Sequence, residues 1–592
     1  MSKDTTGKSF DLNLFSRILK YTRPYKLTFF AVALAAIMLS AFSTVRPVIL
    51  RYTVNDYILG KDAEGLLFFV LLMTASLFLE VISQLSFIYF ANWLGQSVIR
   101  DIRIKLFDHM VRFRMKYFDS SSVGILVTRA VSDIERIAAI FSDGLFMIIS
   151  DLLKMLVVAG VMLYYNWKLS VIIFAVLPLM LYATRVFQKA MKKAFIEVRK
   201  EVANLNSFVQ ERLTGMKIVH LFVREKREYD SFVEINEKHK KAWINTVWYN
   251  SIFIAVVELM SAVTTGLIVW YGGLQAVLQD DITKLGDVFM FIMLSGMIFR
   301  PLRQIADKFN TLQMGMVAAN RVFDVLDTKS RVEETGTIVA GHFKGDLEFD
   351  KVRFEYVKGE EVLHGISFNA NAGQTVAIVG ATGAGKSTII NLLNRFYDIK
   401  NGAIRIDGQN INDFTVHSLR DQIAVVLQDV FLFADTIYHN ITLKDPKITE
   451  QEVVAAAKEI GIHDFISSLP GGYHYNVKER GSMLSSGQRQ LIAFLRAYVS
   501  NPSILILDEA TSSVDGHSEK LIQQATDRVT KGRTSIVIAH RLATVKKADK
   551  ILVMEAGHIV EEGTHDELLQ REDGKYRKLY EVQFMAEEEE AI

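Results

Sequence analysis

The sequence predicts a multi-pass α-helical membrane domain of six spans with long cytoplasmic helical extensions, followed by a C-terminal α/β domain. Three observations predict it. Half of the 592 residues are hydrophobic, and they gather into six long apolar runs within the first half of the chain. Basic residues are scarce in the short connections between these runs and abundant in the long ones. From Gly345 onward, period-two apolar stretches alternate with amphipathic helical ones, the pattern of an α/β domain.

The N-terminal segment, residues 1–26, is polar and then amphipathic. Leu12, Phe15, Ile18 and Leu19 recur at helical spacing with basic residues between them, which suits a helix on the cytoplasmic membrane face. An apolar core followed by a small-residue cleavage site is missing here, so the segment does not read as a signal peptide. The six runs lie at 27–50, 66–94, 144–165, 168–188, 246–272 and 286–309 within a membrane domain of residues 27–322. Each reaches the length of about 20 residues that a bilayer core requires. Arg100, Arg103, Lys105, Arg112, Arg114 and Lys116 follow the second run, and a basic stretch from Lys189 to Lys241 follows the fourth. By the positive-inside rule, both termini and both long connections are cytoplasmic, with the spans in the cell membrane.

The long connections keep helical periodicity almost without proline or glycine, so the spans are expected to continue as helices beyond the membrane. Each is interrupted once, at "FDSSSVGILVTRAVSD" and "NLNSFVQERLTGMKIV", predicting short crossing helices near 119–128 and 207–214. In the first, Asp119 and the serines offer N-caps. Residues 323–344 read as a linker, 345–584 as the α/β domain and 585–592 as a solvated acidic tail.

A net charge of +2 gives no electrostatic case for nucleic acid, and the absence of cysteine excludes disulfides, thiolate zinc sites and cysteine nucleophiles. "TVAIVGATGAGKSTIINLLNRF" is a strand, a glycine-rich turn and a helix in the order a phosphate loop requires. Gly380, Thr382, Gly383 and Gly385 would let backbone N–H groups close around a phosphate at a helix N-terminus. Lys386 would bridge the β- and γ-phosphates, Ser387 would hold Mg²⁺, and Thr388 follows on the same turn. "SILILDEATSSVD" supplies an apolar strand ending in Asp508, a metal-shell carboxylate, and Glu509, a candidate to orient the attacking water.

Between these motifs stands "MLSSGQRQLIAFLRAYV", and with it the chain resembles the ATP-binding-cassette exporters, whose signature reads LSGGQ. Ser485, Gly487 and Gln488 match, while Ser486 replaces a glycine. The resemblance implies that the signature helix faces the γ-phosphate bound to a second cassette, so that two ATP molecules are sandwiched in a dimer. It further implies that Tyr356 stacks on adenine, Gln428 joins Mg²⁺ to the membrane domain, Asp515 makes a dimer contact and His540 meets the γ-phosphate. "VKERG" resembles the exporter element that touches the crossing helices, and Phe118, Asp119, Gly124, Arg129 and Asp133 match the family's first cytoplasmic crossing. Six spans ahead of one cassette is the layout of a half-transporter, implying ATP-driven export of hydrophobic or amphipathic compounds, drug or lipid, by alternating access. Intact motifs favour a homodimer over an active subunit of a heterodimer. An importer, channel or sensor on this scaffold is the alternative; a soluble cassette protein is excluded by the six runs.

Carboxylates at bilayer depth are costly and mark a bundle interior or a wet cavity. Glu80 shares a helical face with Ser76, Ser83 and Gln84, and Glu258 shares one with Ser261 and Thr265. Asp151 and Lys154 are spaced to pair along the third span. Glu80, Asp151 and Glu258 are therefore candidates to line a cavity for cationic or amphipathic cargo, or else to serve as interhelical hydrogen-bonding groups. Arg46 and Arg300, near span ends, are expected to reach headgroups or anionic cargo.

Overall fold

The computed structural model describes residues 11–278, 285–330, 336–508, 516–539 and 541–583. Two compact units make up the chain: residues 1–111 with 122–329, and residues 112–121 with 330–592.

Among the described residues of the first unit, six helices are long and apolar enough to cross a membrane. Their main bodies are Lys26–Tyr52, Ala63–Val111, Phe146–Tyr165, Trp167–Thr214, Glu225–Leu278 and Leu285–Asp327. A helix of 49 residues, such as the second, is about 74 Å long at 1.5 Å per residue, far beyond a bilayer core of about 30 Å. The spans thus run on as helices, as their unbroken periodicity requires. Leu71, Phe78, Val81, Ile82 and Leu85 are exposed along the second helix, an apolar face suited to lipid and unsuited to water.

Proline stands inside three of these helices, at Pro47, Pro178 and Pro301, where the missing N–H and ring clash favour a bend. Short π-helical segments at Thr53–Ile58, Arg129–Asp133 and Ile140–Leu145 add further irregularity. Asp133 is almost fully buried and accepts a hydrogen bond from Arg129, with Arg321 at 3.8 Å and Arg136 at 4.0 Å. A buried carboxylate demands such company.

Both interruptions fall within the expected stretches, and the short helices beside them are placed differently. The first falls between two short helices, Met115–Ser120 and Val123–Thr128, so Asp119 lies inside a helix, while Ser122, one of the serines offered as caps, holds the N-cap position of the second. The second lies beyond 207–214: the fourth long helix continues to Thr214, and a short helix occupies Met216–Leu221. Gly215 ends the long helix there, its N–H donating to the Glu211 carbonyl. The sixth helix reaches Asp327, well into the stretch read as linker. At the N-terminus, Leu12–Lys20 forms the amphipathic helix, capped by Asp11. It is pinned to that sixth helix: Ile18 is fully buried, Arg17 makes a two-pronged contact with Asp327 at 2.6 Å, and its guanidinium lies 4.1 Å from the Phe323 ring.

Among its described residues the second unit has ten strands: β1 Leu347–Val357, β2 Glu360–Ala370, β3 Thr375–Gly380, β4 Asn401–Ile406, β5 Gln409–Asn410, β6 Ile423–Val426, β7 Ile504–Asp508, β8 Thr534–Ile538, β9 Lys550–Glu555 and β10 His558–Gly563. One sheet is antiparallel, in the order β2-β1-β4-β5; the other runs β10-β9-β3-β8-β7-β6 and is parallel except for β10. The parallel strands are apolar on both faces because both are covered. Val376 and Ile378 of β3 pack toward the antiparallel sheet, whereas Ala377 and Val379 pack among helices that include Glu450–Ile460 and Ser486–Val499. The segment 112–121 belongs to this unit, where Arg114 reaches Asp398 at 2.6 Å.

Candidate functional site

The parallel strands end together at their carboxyl edge, where α/β sheets bind ligands. β3 leads into the glycine-rich turn and the helix Lys386–Leu393. Gly380 is obligatory by geometry: its φ is +150°, and a Cβ there would stand 2.2 Å from the Met554 carbonyl oxygen. Gly385, at φ +99°, takes the left-handed conformation from which the helix starts. Lys386 is buried and folds back over the loop, its Nζ donating to the Gly380 carbonyl at 2.6 Å and the Ala381 carbonyl at 3.1 Å. Burial pushes its ammonium pKa down, and the Asp508 carboxylate opposes that shift. An ammonium that donates to carbonyl oxygens is poised to exchange them for phosphate oxygens. Thr382 and Ser387 are open to solvent, and Thr388 is buried beneath them.

β6 and β7 are adjacent, with Val426 paired to Leu507, so Gln428 and Asp508 emerge from neighbouring strand ends. Gln428 is exposed and Asp508 half-buried. Tyr356 is half-buried: its hydroxyl donates to Thr388 Oγ1 at 3.2 Å and accepts from Asn391 at 3.1 Å. Tyr397 stands edge-on to it at 5.0 Å, and Phe354 at 4.7 Å. Tyr397 and Asn391 hold this ring, yet neither carried a sequence signal beyond lying after the phosphate loop.

Ser485 is the N-cap of the helix Ser486–Val499 and forms a capping box with Gln488. Its Oγ accepts the Gln488 N–H at 3.2 Å, and the Gln488 side chain accepts the Ser485 N–H at 3.0 Å. Ser486 is the first helical residue, and its φ is not positive, so a serine fits where the family often has glycine. Gly487 is buried, while Ser485 and Ser486 are exposed. Ahead of this helix, the exposed Lys478 and Arg480 adopt positive φ values of 59° and 52° in the "VKERG" turn, local strain of a kind that collects at functional segments. Glu509, Asp515 and His540 lie outside the described residues.

In the membrane unit, Glu80 pairs with Arg46 at 3.4 Å, so Arg46 turns to the neighbouring helix and not to headgroups. Asp151 and Lys154 do not pair with each other; Asp151 is bound by Lys308 of the sixth helix, which reaches it across the bundle. Ser76 and Ser83 are buried beside Glu80, whereas Gln84 and Glu258 are exposed. The cations that answer the acids come from other helices, which i+3 spacing on one helix does not reveal.

The comparisons agree with this architecture. Residues 29–302 match the family described as ABC transporter transmembrane region, and residues 363–512 match that described as ABC transporter. The chain is 35% identical over 586 residues to the ABC transporter ATP-binding protein YknV of Bacillus subtilis, covering 98% of this chain and 96% of that one. It is 34% identical over 579 residues to an ATP-dependent lipid A-core flippase of Desulfotalea psychrophila, covering 98% and 100%. A solved structure of a bacterial Atm1-family ABC exporter with ATP bound superposes with a TM-score of 0.75 at 29% identity, covering 94% of this chain and 98% of that one. Membrane region and ATPase are thus fused in one polypeptide, and the chain belongs to the ABC transporter family as a multi-pass half-transporter of exporter fold that binds ATP and couples its hydrolysis to transport.

Proposed function

We propose that the protein exports hydrophobic or amphipathic compounds, lipid or drug, across the cytoplasmic membrane as a symmetric homodimer, with both termini and the cassette on the cytoplasmic side. The observation that carries the dimer is the exposed, capped N-terminus of the signature helix at Ser485 and Ser486. Such a terminus presents backbone N–H groups and a favourable field to an anion, and an intact phosphate loop on a second copy supplies one. Each chain then gives Lys386 and Tyr356 to one nucleotide and Ser485, Gly487 and Gln488 to the other. The basic connections on one side of the membrane support the orientation.

Ser387, Gln428 and Asp508 offer oxygen atoms only, the donor set that suits Mg²⁺, and they stand at the carboxyl edge of one sheet. When bound, the ion would neutralise phosphate charge. Lys386 supplies a fixed positive charge to the same phosphates, Tyr356 an aromatic face, and Glu509 the carboxylate that orients water. Purified protein in proteoliposomes tests the reading. ATP-dependent movement of a fluorescent lipid or hydrophobic dye against its gradient is expected. Hydrolysis without any directional flux of either would overturn export in favour of a channel or sensor.

A further inference from the structure

Tyr356 stands where the strand ladder gives its side chain little guidance. The pairing of β1 with β2 slips between Phe354 and Glu355 and again between Glu355 and Val357. Irregular stretches of this kind re-aim a side chain, and regular pairing does not fix where the ring lies. Its neighbours do. Phe354, 3% exposed, and Tyr397 stand nearly perpendicular to the Tyr356 ring, at interplanar angles of 87° and 88°. Two such contacts limit its tilt.

The far end of the ring is tied to a different element. Thr388 and Asn391 lie three residues apart on the helix Lys386–Leu393 and so share one face of it. The Tyr356 hydroxyl donates to Thr388 Oγ1 at 3.2 Å and accepts from Asn391 Nδ2 at 3.1 Å. Thr388 is buried, and its N–H donates to the Gly385 carbonyl at 3.1 Å, so the tie ends on the first turn after the phosphate loop. A tyrosine has two side-chain torsions, and anchoring its oxygen restrains both. Phenylalanine would offer the same aromatic face without this anchor. Holding a side chain in place before a ligand arrives lowers the ordering cost of binding.

We propose that Asn391 is a positioning residue for nucleotide recognition. Together with Thr388 it holds the Tyr356 hydroxyl, and this fixes the aromatic face relative to the phosphate loop. Base and phosphates are then received by one pre-set unit. The proposal rests on the reading of Tyr356 as the residue that stacks on adenine, and Asn391 acts through that ring.

ATP hydrolysis by the full-length protein in nanodiscs tests this, with inorganic tripolyphosphate as a competing ligand that has phosphates and no base. Asn391→Leu, similar in size but without the donor, should raise KM for ATP by about threefold to tenfold, the worth of one hydrogen bond, and change kcat by less than about twofold. The inhibition constant of tripolyphosphate should keep its wild-type value. Tyr356→Phe, which retains the ring, should raise KM in the same way, and adding Asn391→Leu to it should make matters no worse. Asn391→Gln, which keeps an amide N–H, should recover most of the affinity for ATP. Equal weakening of ATP and tripolyphosphate in Asn391→Leu would overturn the proposal, by showing that the residue merely supports the helix. Additive losses in the double variant would overturn it as well. If Tyr356→Ala raises KM while Tyr356→Phe and Asn391→Leu do not, stacking stands and the tether falls. If Tyr356→Ala leaves KM unchanged, the stacking reading itself fails.

Discussion

Arg51 of the first membrane helix forms an ion pair with Asp287 of the sixth, and its guanidinium lies 4.7 Å from the Tyr165 ring at the end of the third. Tyr52 covers the same guanidinium at 5.1 Å. One residue along, the Gly286 N–H donates to Asn55 Oδ1 at 2.7 Å. Three helices are therefore tied at one level by an ion pair, two rings and a hydrogen bond from backbone to side chain. Helices that must part during a transport cycle would have to break this group first.

The tightness of that contact predicts a mutational effect. A Cβ at Gly286 would stand 2.4 Å from Asn55 Oδ1 and 2.6 Å from the Arg51 carbonyl oxygen, whereas one at Gly273 would meet nothing within 4 Å. Gly286→Ala should therefore destabilise the protein by about 1–3 kcal/mol, the usual cost of overpacking. Gly273→Ala should be nearly silent. Thermal unfolding of the two variants in the same detergent checks this, and equal midpoints would show that the helices give way freely.

The phosphate loop makes a sharper demand. Lys386→Ala removes the buried ammonium that Gly380 and Ala381 hold in place. ATP hydrolysis should fall by at least about a hundredfold, the scale seen when a positioned charge on the reacting group is lost. Steady-state phosphate release at saturating ATP measures it. Near-normal turnover would remove Lys386 from the site.

How much of this was legible beforehand depends on distance along the chain. Motifs whose parts are local, such as the turn from Gly380 to Ser387 or the Ser485–Gln488 box, show in the sequence because their geometry is closed within a few residues. The six spans show because bilayer thickness fixes helix length. Contacts across elements do not show. The Arg46–Glu80 and Asp151–Lys308 pairs join residues far apart in sequence, and helical spacing suggested Asp151 with Lys154 instead. The short helices start at Val123 and Met216, later than the expected 119 and 207, for a similar reason. Serine and aspartate within "FDSSS" all favour caps, and propensity alone does not choose among them.

A cap can be tested directly. Ser485→Ala removes the oxygen that accepts the Gln488 N–H, at a cost of about 1 kcal/mol to the start of that helix. The fall in ATPase should exceed what the small loss of stability explains, because the proposed γ-phosphate contact goes as well. Comparison with Thr449→Ala, which removes the similar capping box of the helix Glu450–Ile460, provides the control. Equal ATPase loss in both variants would reduce Ser485 to a structural cap.

The last prediction concerns acid. Asp435 accepts hydrogen bonds from Lys444, from His439 and from the Thr436 N–H, in that order of effect, and together they hold its carboxyl well below the usual carboxylate range. Its proton affinity thus drops on folding. The resulting stabilisation is complete above about pH 4, the ordinary carboxylate value, and drains away as pH falls toward the folded value. The same residue fixes the stretch before the signature helix, since the Val477 N–H donates to the Asp435 carbonyl. Asp435→Asn keeps that backbone bond and deletes the charge. Its unfolding midpoint should lie below wild type at pH 7, and the difference should shrink steadily as the pH is lowered below 4. Midpoints recorded on purified wild type and variant across that range decide the matter. A constant gap at every pH would mean that the loss comes from altered packing, and that the ion pairs of Asp435 carry none of the acid sensitivity.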